Sequence, residues 1–171
     1  MATSTKIDVD TKRLRIFFAQ MIRRSNNFAP VFTKALRDIE NEEARHFASR
    51  GGGTWPPLAA STRAQKRREG FQADLLQRTG ALRDSLVSGG PGGVRNLTPK
   101  TMEFGTSVEY AGYHFNGAQK GNWRLPVRNP LVRAETFANS VAQDAGGWIV
   151  YGREWQTKRA ASAVRNLSDI L

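Results

Sequence analysis

The sequence contains no cysteine, and histidine occupies only two of its 171 positions. Without cysteine there are no disulfides, thiolate metal sites or cysteine nucleophiles. The two histidines, His46 and His114, are too few for a triad-type active site and lack the paired spacing of a zinc site. The sequence therefore predicts no catalytic residues and no metal site.

Long apolar runs are also missing. No window approaches the roughly 20 apolar residues of a membrane span, and the N-terminus lacks the apolar stretch of a signal sequence. A glycine-rich run at residues 89–93 lacks the Gly-Lys-Ser/Thr ending of a phosphate-binding loop, so we expect no nucleotide cofactor. We therefore expect a soluble protein that makes no use of a membrane, and the length fits one domain.

Basic residues are abundant. Lysine and arginine number 26 against 15 aspartates and glutamates, which gives a net charge of +11. Such a surface attracts polyanions, so it indicates either proximity to DNA or a match to acidic protein neighbours. Sequence-specific recognition is not expected, because the basic residues are spread along the chain and form no familiar nucleic-acid motif.

Two helices are predicted at the front of the chain. Apolar residues at steps of three and four indicate an amphipathic helix over residues 11–24, and a second helix follows Pro30 and ends at the glycines of residues 51–53. The apolar positions of the first helix are Leu14, Phe17, Phe18, Met21 and Ile22. A basic amphipathic helix can bind a membrane surface, but the nearby second helix favours packing of the two as a pair.

The stretch that follows ends the helical front. Consecutive glycines and prolines at residues 51–57 force a loop. Trp55 and Leu58 are predicted to anchor this loop to the core. Ser61 or Thr62 is expected to cap a basic helix. Thr79 is expected to cap another, which carries Leu82 and Leu86 at four-residue spacing.

Strands are predicted in the second half. Residues 94–97 and 101–110 read as a hairpin, residues 117–121 as an exposed loop, and residues 123–128 as a third short strand. Pro130 is expected to open a helix that Gly146 and Gly147 end, with a last helix starting near Trp148. The predicted class is α+β, with two N-terminal helices and later helices packed on a small, mostly antiparallel sheet. We expect residues 1–147 to form a single domain and residues 148–171 to form a C-terminal helical extension.

Three groups of residues carry a family pattern. A Gly-Trp-x-Pro-Leu-like loop, a Thr and Lys/Arg-rich segment and a Leu-x-x-Thr-Gly-x-Leu-x-x-Ser element are matched by Trp55, Pro57, Leu58, Thr62, Lys66, Leu76, Thr79, Gly80, Leu82 and Ser85. A Tyr-Ala-x-x-His-x-x-Gly segment is matched by Tyr110, Ala111, His114 and Gly117, and a Pro-x-Arg turn by Pro126, Arg128 and Leu131. Over residues 45–135 the chain thus resembles the tail-completion, or virion-morphogenesis, proteins of tailed bacteriophages.

This resemblance implies a structural virion protein at the head–tail joint or the top of the tail, that is, a tail-completion or neck component without a cofactor. Proteins of this kind work as rings, commonly hexamers. The implied partners are therefore further copies of the chain and neighbouring connector or stopper, tail-terminator and tail-tube proteins. The implied location is the virion, after assembly in the host cytoplasm. The alternative is a non-specific DNA-binding accessory protein, which only the charge supports.

The residues expected to matter fall into three sets. The structural anchors are Trp55, Leu58, Leu82, Tyr110 and His114. The candidates for facing a partner or genomic DNA are Arg124, Arg128, Lys158 and Arg159. The apolar residues of a candidate assembly arm over residues 148–171 are Trp148, Trp155, Leu167 and Ile170. Packing of that arm on its own chain is the open alternative.

Overall fold

The structure, a computed structural model, describes residues 10–72, 74–133 and 135–158. The described helices are α1 (Thr11–Ser25), α2 (Ala29–Ala48), α3 (Ala60–Arg68), α4 (Ala81–Val87), α5 (Ala111–Asn116) and α6 (Glu135–Tyr151). The described strands are β1 (Gly93–Leu97), β2 (Met102–Thr106), β3 (Ala118–Lys120) and β4 (Trp123–Leu125). A 3-10 turn, Gly152–Glu154, follows α6. The predicted α+β class is confirmed.

The core lies where α2 and α4 meet the β1–β2 hairpin and the loop after α2. Side chains four apart share one face of a helix, and α2 accordingly buries Val31, Ala35, Ile39, Glu43 and Phe47. The buried core cluster consists of Phe47, Trp55, Leu75, Leu82, Leu86 and Ala111. This core holds the motif-bearing loops against the rest of the molecule.

The strands form two separate two-stranded antiparallel sheets. In the first, β1 pairs with β2 from Gly93↔Thr106 to Leu97↔Met102, as the predicted hairpin requires. However, β2 ends at Thr106 and not at Tyr110, because the Thr106 hydroxyl accepts a hydrogen bond from Val108 N and the chain turns into α5.

The second sheet corrects the loop expected at residues 117–121. Part of it is β3, which pairs with β4 from Ala118↔Leu125 to Lys120↔Trp123. The glycines at the two ends of this stretch suggested a loop, but Gly121 instead serves in the turn that joins the two strands.

Helix α6 differs from its prediction at both ends. It starts at Glu135 and not at Pro130, because the N–H groups of Leu131 and Val132 bond to the side chains of Asn129 and Glu43. It continues through Gly146 and Gly147 to Tyr151, so the expected break at the diglycine is wrong.

Tertiary contacts explain why α6 continues through the two glycines. A Cβ at Gly147 would lie 3.5 Å from the Cβ of Trp155, which is buried, so the chain folds back onto this part of α6. Arg24 donates to the carbonyls of Ile149 and Val150 at 3.1 and 2.9 Å. These contacts offset the roughly 1 kcal/mol by which each glycine disfavours a helix.

Helix α1 is not the buried partner of α2 that its pattern predicts. It lies against α6, and none of its residues is buried. Trp148 Nε1 donates to Arg24 O and Asn27 O, so the C-terminal end of α1 is tied to α6. The preceding turns of α1 leave their apolar face exposed.

Candidate functional site

Motif residues from two distant segments meet in a cluster that we call the Trp55–Arg128 clasp, made of Trp55, Pro56, Pro57, Arg128 and Asn129. Arg128 donates from Nε to Pro56 O at 2.7 Å and from Nη2 to Pro57 O at 2.9 Å. Trp55 Nε1 donates to Asn129 O at 3.1 Å. The clasp therefore joins the loop after α2 to the turn before α6.

The indole of Trp55 sits deep in this cluster. The Phe47 ring meets it edge-on at 5.5 Å, and Leu58 packs against the same core from a partly buried position. Gly51 adopts a φ of +69°, and a Cβ there would lie 2.4 Å from the Trp55 ring. Glycine is thus required both for the backbone conformation and for the approach of the indole.

Both histidines flank the clasp. His46 Nε2 lies 3.1 Å from Asn129 O, and its ring meets Trp55 edge-on at 5.1 Å. His114 accepts a hydrogen bond from Arg128 N through its backbone oxygen, and Tyr110 lies edge-on to its ring at 6.1 Å. Burial lowers the pKa of His114, and the positive charge of Arg128 lowers it further. His114 is therefore held as a neutral packing residue.

A buried carboxylate supports the same turn. Glu43 is fully buried, and its Oε1 accepts from Val132 N at 2.8 Å, while Oε2 has no partner among the described residues. Burial raises the pKa of Glu43 to about 7; the hydrogen bond from Val132 opposes this rise, and the charge of Glu42 adds to it. Below about pH 7 the carboxyl group of Glu43 is therefore mostly protonated in the folded protein.

In the sequence, the cluster of Glu40, Glu42 and Glu43 suggests a solvated helix face that pairs with nearby arginines. Two of the three do pair with arginines: Glu42 with Arg45 at 2.6 Å, and Glu40 with Arg95 at 2.7 Å. Glu43 is different because it continues the four-residue step of the apolar residues of α2. This four-residue spacing is the sequence signal that identifies Glu43 as a buried residue.

The basic residues that were candidates for facing a partner or DNA occupy different environments. Arg124 and Lys158 are exposed, and Arg159 lies outside the described residues. Arg128 is 5% exposed and donates into the clasp, so the structure corrects its assignment to a partner-facing or DNA-facing role. Long-range pairing with carbonyls cannot be read from local sequence, where an arginine looks like a surface residue.

Lys66 is a second cation that the structure turns inward. Its Nζ donates to Asp74 O at 2.6 Å, and burial lowers its pKa. This bond ties α3 to the loop before α4. The arginines of α3 that remain exposed, Arg63, Arg67 and Arg68, form the surface of the basic helix that the sequence predicts.

The remaining candidates are placed as follows. Leu82 is fully buried, and Tyr110 is 42% exposed beside His114. Trp148 bonds to the end of α1, and Trp155 is 3% exposed, so both contact their own chain. Leu167 and Ile170 lie outside the described residues.

Within the described ranges, no three His, Cys, Asp or Glu side chains gather as a metal ion would require. Among the helices so described, none combines the length and apolarity needed to cross a bilayer.

Fold and site together define a small α+β protein whose motif residues hold loops on a core. The phage virion morphogenesis family matches residues 9–142, most of the chain, and the chain belongs to this family. No curated protein and no solved structure matches it. The family associates the chain with the virion, and a structural family of this kind points away from catalysis.

Proposed function

We propose that this chain is a structural component of a tailed-phage particle that acts at the head–tail joint or the top of the tail, as a tail-completion or neck protein. The observation that carries the proposal is the clasp: Trp55 and Arg128, which bear the family pattern, bond to backbone carbonyls of loops. Residues that bond to backbone carbonyls in this way hold the loops in a fixed shape, which a protein that joins head and tail needs. We expect no catalytic activity.

We further propose that copies of the chain form a ring, as the resemblance implies, between connector or stopper proteins on one side and tail-terminator or tail-tube proteins on the other. The β3–β4 hairpin supports this proposal. A two-stranded sheet is marginal alone and offers unpaired edges to a neighbour. Trp123 and Tyr113, on or near this hairpin in the chain, are 56% and 60% exposed.

The position in the particle is tested by infecting cells with phage that lack this protein and imaging the products. We expect DNA-filled heads and complete tails that remain unjoined, and joining restored by the wild-type chain. Gold-labelled antibody should mark the joint in wild-type particles. Empty or unfinished heads, or label at the far end of the tail, would contradict the proposed position.

Ring formation is tested by native mass spectrometry of Trp123→Ser beside Tyr151→Ser. Both residues are exposed aromatics, but Tyr151 ends α6 and lies outside the hairpin. We expect the first substitution alone to weaken the ring, because large aromatic residues dominate the energy of protein interfaces. Equal ring formation by both variants would remove the hairpin from the interface.

The basic surface of α3 favours non-specific DNA binding as the second candidate function. A protein that neutralises phosphates shows a linear fall of log K with log salt, at about 0.9 per neutralised phosphate for duplex DNA. Replacement of Arg63, Arg67 and Arg68 by glutamine should flatten this slope if DNA binding is the function. If all variants bind DNA equally weakly, DNA binding is not the function and the structural role is the one that remains.

A further inference from the structure

The apolar face of α1 is an exposed patch. Leu14, Phe17, Phe18 and Ile22 are 42%, 41%, 50% and 64% exposed, and their steps of three and four place them along one side of the helix. Contiguous apolar patches on a soluble protein mark interaction sites. Val150 and Tyr151, at the end of α6 beside Arg24, are exposed as well.

Positive charge borders this patch. Helix α1 contains no acidic residue, and its basic residues are Lys12, Arg13, Arg15, Arg23 and Arg24. At its C-terminal end lies a cleft of about 530 Å³, which is lined by three arginines, Arg23, Arg24 and Arg153, by one acidic residue, Glu154, and by Asn27, Trp148, Tyr151 and Gly152. The cleft thus lies at the C-terminal end of α1, and its first lining residue, Arg23, follows Ile22 directly in the chain.

Charge decides which occupant fits. A second copy that docked through the same face would set its own basic α1 against this one, and this like charge opposes pairing through α1. The chain segments outside the described residues do not supply an excess of acid, since residues 1–9 and 159–171 contain Lys6, Arg159 and Arg165 against Asp8 and Asp169. A flat anionic bilayer matches the charge but does not fill a cleft.

We propose that α1, Val150, Tyr151 and the arginine-lined cleft form a docking site for an acidic amphipathic helix of a partner protein. The apolar residues of that helix cover Phe17, Phe18 and Ile22, and its carboxylates face the arginines of the cleft. This assignment goes beyond the proposed function and holds wherever the chain sits in the particle.

The probe is a labelled helical peptide of about 18 residues, roughly 27 Å long, with leucine along one face and glutamate elsewhere. Two matched peptides replace the glutamates by lysine or the leucines by serine. Fluorescence anisotropy with the full-length protein at physiological salt should show the Leu/Glu peptide binding at least about tenfold tighter than either control.

Variants of the full-length chain locate the site. Phe17→Ser with Phe18→Ser should weaken binding at least about tenfold, whereas Leu97→Ser, which replaces an exposed apolar side chain at the end of β1, should leave it unchanged. Arg23→Gln with Arg153→Gln should weaken binding and flatten its salt dependence. If the double serine variant of α1 fails to fold, Ile22→Ser tests the same face at its most exposed apolar side chain.

Several outcomes would overturn the proposal. Equal binding of the three peptides would show that the site recognises neither the acidic charge nor the apolar face of a partner helix. Self-association that is lost with Phe17 and Phe18 would assign the face to a second copy. Binding to phosphatidylglycerol vesicles through α1, without peptide binding, would assign it to a membrane. Peptide binding that appears only after truncation at Lys158 would assign it to the chain's own C-terminal segment.

Discussion

At the scale of single residues, Trp55 and Arg128 show how far local sequence reaches. Glycines before Trp55 and prolines after it predict a loop that an apolar anchor holds to the core, and Trp55 is 7% exposed. Nothing beside Arg128 in sequence indicates that it meets carbonyls more than 70 residues away. Such pairing depends on the tertiary fold.

Arg128→Lys should lower the free energy of unfolding by about 1.5–3 kcal/mol, because an ammonium cannot reproduce the fork that reaches both proline carbonyls. The measurement is the thermal midpoint, which should fall by roughly 5–10 °C for a chain of this size. Arg124→Lys, at an exposed position in β4, is the control and should change stability by less than about 0.5 kcal/mol. Equal effects of the two would mean that the clasp contributes no stability.

Glu43 predicts a pH dependence of stability. Folding raises the pKa of Glu43 from 4.5 to about 7, so the native state binds the extra proton between these values. Its stabilising effect is complete below about pH 4.5 and is lost as pH rises through about 7, a change of about 3 kcal/mol. Glu43→Gln should therefore be less sensitive to pH between 5 and 8 in urea unfolding. An unchanged pH profile would show that Glu43 does not titrate in this range.

At the scale of elements, periodicity predicts that helices exist better than it predicts where they end or what they contact. The apolar spacing correctly predicts that α1 and α2 are helices, yet α2 enters the core and α1 does not, because α1 packs against α6 and is tied to it by Arg24 and Trp148. The diglycine in α6 is a second case, where the local preference for a break yields to the contacts of Trp148 and Trp155. Neighbours in space decided both outcomes.

Because α6 is continuous, replacing a glycine of the diglycine by alanine should stabilise the protein, whereas at a hinge it should not. Gly146→Ala should stabilise the protein by about 0.5–1 kcal/mol, since alanine favours helix and no atom lies within 4 Å of the added Cβ. Gly53→Ala is the matched control, because that glycine also has open space but a φ of +81°, and alanine there should destabilise. Stabilisation is read from the urea midpoint, and a loss of stability at Gly146 would restore the hinge.

At the scale of the whole molecule, the question is where the folded body stops. Sequence analysis placed the boundary after residue 147, and the assembly arm that it predicts beyond this point stays a prediction. The first part of that segment is bonded to the body through Trp148 and buried through Trp155. Residues 159–171, with Leu167 and Ile170, are the part still available for an arm.

Two truncations separate the body from such an arm. Ending the chain after Gly146 removes the indoles of Trp148 and Trp155 and the carbonyls to which Arg24 donates, so the thermal midpoint should fall by well over roughly 10 °C, in line with the cost of deleting buried aromatic side chains. Ending it after Lys158 keeps these contacts, and we expect a nearly unchanged midpoint together with heads and tails that no longer join in infected cells. If the longer truncation product melts as low as the shorter one, residues 159–171 belong to the folded body. If it still completes particles, they are not an assembly arm.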